Sequence, residues 1–325
     1  MAWLHAIDTA AMEANVTVQL CMMCPAHALA STELLAVTNG RGTSDNDHSS
    51  QADLTPLGHS GLIMGAVGMW PSRDNVFTSA SEPNCPKGPQ RPSITNCTYP
   101  DYKLQSVAAV LAGGPYGPSD GIDDLQREHI MRACRADGVL LRADAPLATL
   151  DAALCVHCPK GLACCPTSIH HSIHHRSTCA NLIIFLGLID RFAPVDYRTL
   201  GFDLPRGRGL LLWGTYTQIG SLRWAYLLSV STPTANTLHL VKDLETTPEL
   251  DYIVIDVWAV DGATPTASAL QRVPASDGRL TVPQSPPAPL PGHSDGGTYQ
   301  ILAPVFPSGA RLTRLPSSSA LIGIE

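Results

Sequence analysis

The residues Arg41-Gly42-Thr43-Ser44-Asp45-Asn46-Asp47-His48 bring one guanidinium, two carboxyl groups and two hydroxyls together just past an apolar run. A carboxyl group flanked by a guanidinium and polar loop residues suits acid/base work on a hydroxyl-rich substrate, with Asp45 as the candidate acid/base. The same residue types also build ordinary Asx-rich turns, so this stretch by itself leaves a surface turn open. Trp70, beside Pro71 and Asp74, is the tryptophan placed nearest a ligand. Trp213, Trp224 and Trp258 stand in apolar runs and read as core.

A second concentration of chemistry-bearing residues runs Cys155-Val156-His157-Cys158, Cys164-Cys165, His170-His171, His174-His175 and Cys179. Cys-x-x-Cys and His-x-x-x-His spacings can each bring two ligands onto one zinc ion. The segment lacks a second clean Cys-x-x-Cys pair, and His-His tandems are often loop composition, so no metal and no cofactor is assigned. Cys21 and Cys24 have redox spacing, but Cys21 ends an apolar run and reads as a strand residue. Gly113-Gly114 is too short for a phosphate cradle and reads as a tight turn.

Several elements must position these groups. Leu4, Ile7, Ala11 and Ala14 at helical spacing predict a helix over 3–14, followed by a buried strand over 16–21. A helix near 27–35, a strand and loop over 37–45, a helix over 62–69 and a short strand over 74–78 come next. Residues 79–101 read as a long loop rich in Pro, Asn and Gly. Helices are predicted over 103–111 and 122–136, the second with Leu125, Ile130, Met131 and Cys134 on one side. Strand-helix units with polar residues at strand ends fit an α/β barrel, although about four are visible and a closed barrel needs about eight. From 182 onward, runs at 182–189, 210–216, 224–230, 237–241, 252–260 and 299–306 predict antiparallel strands, and 285–291 an extended linker.

Composition narrows the classes. The 325 residues suffice for one large or two ordinary domains, and 44% hydrophobic against 15% charged residues disfavours wholesale disorder. A net charge of -7 disfavours a nucleic-acid backbone as partner. No apolar run reaches the roughly 18 residues that span a bilayer, so no membrane is expected either. Ten cysteines and the sequons Asn15-Val16-Thr17 and Asn96-Cys97-Thr98 are compatible with a secreted relative, which leaves the compartment open, as it does oligomeric state.

The order of motifs resembles one family group, the retaining α-galactosidases with the raffinose-synthase and seed-imbibition-type glycosidases. The resemblance is carried by Cys21-Met22, Arg41-Gly-Thr-Ser-Asp45, Met69-Trp70-Pro71-Ser72-Arg73-Asp74, Val107 to Leu111 running into Gly114-Pro-Tyr-Gly-Pro-Ser-Asp120, and Asp137-Gly138-Val-Leu-Leu-Arg142. It implies a fold of class α/β plus all-β: the C-terminal half of a (β/α)8 TIM barrel over 1–150, the Cys/His-rich insert or linker over 151–180, and an antiparallel β-sandwich over 181–325. It further implies a carbohydrate substrate and two-step displacement with retention. Asp45 matches the general acid/base carboxylate, Arg41 a sugar-contacting arginine, and Asp74 and Asp120 acidic residues at the rim of the site. The family's nucleophilic aspartate belongs on a strand before the first helix. Asp8 lies on that helix and is not promoted to the role, so a truncated glycosidase, inactive alone, is the expectation. The alternatives are a non-catalytic carbohydrate-binding pseudoenzyme and a metal-binding module built on the Cys/His segment.

Overall fold

A computed structural model of the chain describes residues 2–21, 23, 25–43, 55–82, 97–99, 102–135, 137–152, 211–230, 236–257, 270–282 and 297–306. The first part alternates helix and strand: α1 (Ala2–Glu13), β1 (Val18–Leu20), α2 (Pro25–Ala30), a 3-10 turn (Ser31–Glu33), β2 (Val37–Arg41), α3 (Thr55–Ala66) and β3 (Trp70–Ser72). The three strands pair in parallel in the order β1-β2-β3. Leu4 of α1, Leu20, Val37 and Met64 share a core on the helical side of this sheet. A strand pair, β4 (Ser81–Glu82) and β5 (Cys97–Thr98), then leads to α4 (Tyr102–Ala112) and the short α5 (Arg127–Met131).

The remaining elements are β6 (Ala148–Thr149), β7 (Leu211–Ile219), β8 (Leu222–Val230), β9 (Asn236–His239), α6 (Leu240–Asp243), β10 (Tyr252–Asp256), β11 (Leu270–Val273), β12 (Arg279–Val282) and β13 (Gly297–Pro304). Six of these strands form an antiparallel sheet in the order β11-β10-β13-β8-β7-β6, and β12 pairs with β9 as a separate ribbon. One face of the large sheet buries Trp213, Tyr226 and Tyr299 against Leu57 of α3 and Leu104, Val107 and Leu111 of α4. The ribbon, through Leu238, Leu280 and Val282, covers the other face at Leu212, Leu227 and Val254.

The expected half of a TIM barrel followed by a β-sandwich is therefore not the architecture. The parallel sheet is open, with strands of only three to five residues, and most described strands are antiparallel. Helix α4 carries the physical reason, because every residue from Leu104 to Ala112 is buried. A helix outside a barrel keeps a polar face toward water; one enclosed on all sides lies between layers. Sandwich packing requires two sheets face to face, and here a helical layer lines one face while a two-stranded ribbon covers the other.

Local expectations differ too. The strand expected over 74–78 lies earlier, at β3, and Val76 makes only an isolated parallel bridge to Pro118. The helix expected over 122–136 shrinks to α5, which buries no residue, while Ile122 is 90% exposed. Only the end of the expected stripe, at Cys134, packs on the core, whereas Leu125 is exposed. An apolar stripe left largely unburied does not sustain a long helix. Strands β11 and β12 escaped the sequence reading because β11 is exposed at three of its four positions and is held by pairing with β10. The expected strand over 182–189, the stretch 285–291, Trp258 and the cluster 155–179 lie outside the described residues.

Contact between α3 and the antiparallel sheet depends on small residues. A Cβ on Gly61 would run into the carbonyl oxygen of Leu147, and one on Gly58 into the Trp213 ring and the Thr149 hydroxyl. The helix backbone thus lies directly on β6.

Buried phenols give this core an alkaline limit. Desolvation pushes the Tyr226 phenol up to about 12 and raises that of Tyr299 well above the usual 10.0. Above pH 10 the unfolded chain sheds phenolic protons that the folded chain keeps, so stability declines as pH rises from about 10 through 12. Among the described residues the Tyr226 hydroxyl completes no hydrogen bond of good geometry, although the Thr217 hydroxyl lies close enough to oppose the upward shift. Tyr226→Phe is expected to be neutral or to stabilise by up to about 1 kcal/mol at pH 7, and to soften the loss at pH 11. Urea denaturation at both pH values measures this; destabilisation at pH 7 would show that the hydroxyl is satisfied after all.

Candidate functional site

Strand register decides which side chains share a face. Val18 opposes Val37, but the next pairs are Gln19 with Asn39 and Leu20 with Gly40, so β2 carries one extra residue at Thr38. Bulges of this kind re-aim the side chains that follow. Val37 therefore joins Leu20 on the helical side, where Gly40 abuts Met23. Asn39 and Arg41 turn to the opposite face. There Asn39 stands in a row with Gln19 and Trp70, and Arg41 opposes Ser72 in the next row. The result is a polar face on a sheet whose other face is apolar.

At the carboxyl edge of this sheet, Arg41 ends β2 and is 8% exposed. Its Nη1 donates to Oδ1 of Asp74, which follows the end of β3, in a close ion pair. The Asp74 N–H donates to the Thr43 hydroxyl at 3.0 Å, and the Gly42 N–H to the Ser72 carbonyl at 2.9 Å. Gln19 on β1 donates through Nε2 to the Ser72 hydroxyl. Arg41 and Asp74, expected to share a site, are thus brought together at the carboxyl ends of parallel strands, where open α/β sheets bind ligands.

The residue between Ser72 and Asp74 turns the other way. Arg73 is 2% exposed and donates to the Asn75 carbonyl at 2.8 Å and to Oε1 of Gln105 on α4 at 2.9 Å. Burial pushes its guanidinium down to about 10, with the negative charge of Asp74 opposing that shift. These bonds tie the end of β3 to α4 and leave Asp74 directed toward Arg41.

The other expected residues are placed differently. Asp120 accepts the backbone N–H groups of Thr78 and Ser79 at 2.9 Å each, together with both of their hydroxyls. It fastens the loop after β3 to the turn that follows α4, beside the Val76–Pro118 bridge. Asp120→Asn leaves one oxygen where two served, and is expected to destabilise the fold by about 2 kcal/mol. Thermal or urea unfolding reads this, and an unchanged midpoint would remove the fastening role. Trp70 carries Arg142 over its ring at 4.3 Å and meets Gly113 edge-on, so the packed side of the indole is already occupied. Gly113, at φ 82°, ends α4 as a tight turn and fits against the edge of that ring without a side chain.

Asp45 and Asp47 lie outside the described residues, as does Cys24. Asp8 accepts the Ala36 N–H at 2.6 Å, immediately before β2, and so marks the opposite end of the sheet from Arg41. Among the described residues no group of three His, Cys, Asp or Glu side chains could hold a metal ion, and no helix is long and apolar enough to cross a membrane. Sequence reasoning missed Gln19, Asn39 and the Arg73–Gln105 tie. One signal was available: amides inside otherwise apolar strands are disfavoured by strand propensity unless the face they occupy is polar. No family model matches the chain, and no curated protein matches it.

Proposed function

We propose that this chain is a glycoside hydrolase-like protein directed at α-galactosides or related carbohydrates, using the carboxyl edge of its parallel sheet as the sugar site. The carrying observation is the buried Arg41 ion-paired with Asp74 at adjacent strand ends. A guanidinium held in this way offers directed donors to sugar hydroxyls, and the polar face beside it supplies amide and hydroxyl partners. Asp45, four residues past Arg41, is the proposed acid/base of a retaining, two-carboxylate displacement. The second carboxylate would attack the anomeric carbon as the glycosidic bond breaks; no residue of this chain is assigned as that nucleophile. Asp45 would protonate the leaving glycosidic oxygen and then take a proton from the incoming water or acceptor hydroxyl.

A second reading, a non-catalytic carbohydrate-binding protein, is favoured by the fact that Asp74 and Asp120 are both engaged by protein groups. One experiment covers both. Calorimetric titration with methyl α-galactoside, beside an assay with an aryl α-galactoside, should give saccharide binding. Turnover that disappears in Asp45→Asn selects the hydrolase, and binding without turnover selects the second reading. Absence of binding to any neutral glycoside defeats both.

A further inference from the structure

Beyond the ion pair, one group on the polar face stands out. Asn39 is 9% exposed, and its Nδ2 donates to the Thr38 hydroxyl at 3.1 Å. Its Oδ1 has no hydrogen-bond partner among the described residues. Buried side-chain oxygens are nearly always paired in folded proteins, and an unpaired one on a ligand face calls for a donor from outside. The Tyr226 hydroxyl, which also lacks a partner among the described residues, sits in a core between layers. Asn39 instead shares its face with Gln19, Trp70 and Arg41.

We infer that Asn39 contacts the ligand and sets its specificity, its Oδ1 accepting a hydrogen bond from one hydroxyl of a neutral pyranoside. The inference rests on the carbohydrate reading above. The chemistry of the acceptor selects the ligand class. A sugar hydroxyl can donate, whereas a carboxylate or phosphate oxygen has no proton to give and would be repelled by the amide oxygen. Hexuronides and phosphosugars that put their charged group at this position are therefore rejected. Neutral hexosides are accepted, and an analogue lacking the matched hydroxyl leaves the acceptor buried and unpaired.

The test titrates the full chain with methyl α-galactoside, its four monodeoxy analogues and the corresponding methyl galacturonide, using wild type and Asn39→Leu. Wild type should bind the parent sugar and disfavour one deoxy analogue by about tenfold or more. Asn39→Leu should weaken parent binding by a similar factor and abolish the discrimination against that analogue alone. Side-chain amide signals of Asn39 in wild-type NMR spectra should shift on saturation with the parent sugar, a readout that does not need the variant to fold. If wild type binds sugar while the variant keeps the full discrimination pattern, or the Asn39 amide signals do not move, the role of Asn39 is overturned and the carbohydrate reading stands. If wild type binds none of the sugars, both fall together.

Discussion

Gly61→Ala is expected to prevent stable folding or to lower stability by more than about 3 kcal/mol, far beyond what an alanine normally does inside a helix. On propensity alone the change should help, since alanine is favoured over glycine there by about 1 kcal/mol. Packing reverses the sign, because the added methyl group would run into the Leu147 carbonyl oxygen, a backbone atom with no rotamer to relax into. Helix α3 would have to withdraw from β6, opening the core that joins it to Trp213 and Leu147. The control is Gly68→Ala, just beyond α3, where no atom lies within 4 Å of the added carbon but φ is 78°. That change should cost only about 1 kcal/mol of backbone strain. Circular dichroism and urea unfolding of the two variants separate the effects; a Gly61→Ala protein as stable as wild type would remove the direct contact of α3 with β6.

Arg41→Ala carries the second large effect, on two readouts at once. Asp74 retains 22% of its side-chain exposure and would lose its guanidinium partner, which is expected to destabilise the fold by about 2–4 kcal/mol. Saccharide binding should disappear. Loss of binding alone would not separate contact from collapse, so Arg41→Met/Asp74→Leu is the informative companion. Replacing both charges with apolar groups of similar size often restores stability. The double variant is therefore expected to unfold near the wild-type midpoint and still bind no sugar. Recovery of binding together with stability would make Arg41 a structural residue only.

Much of the local structure was legible along the chain. The spacing of Leu4 and Ala11 marks α1, and β-branched and aromatic runs mark β7, β8, β10 and β13. Arg41 and Asp74 also stood out by residue type, and a part-buried ion pair joins them. Trp70 and Asp120 stood out equally, yet they are engaged in packing and in fastening a loop. Residue type announces capacity for chemistry, and a tryptophan or aspartate serves a ligand and a neighbouring loop equally well. The amides Gln19 and Asn39 went unnoticed because their significance comes from a one-residue bulge, which no hydrophobic period encodes.

By itself the sequence determined which segments prefer helix or strand, and that the polar groups gather where strands end. These preferences depend on neighbours within a few positions, through side-chain period and backbone sterics. Only the tertiary structure decided that α4 is buried from Leu104 to Ala112 in the core it shares with the antiparallel sheet, that the parallel sheet stays open, and that Asn39 and Arg41 share one face. Burial and register arise from pairing between segments far apart in the chain. Their free energy is released only when distant surfaces meet, so no local pattern contains it.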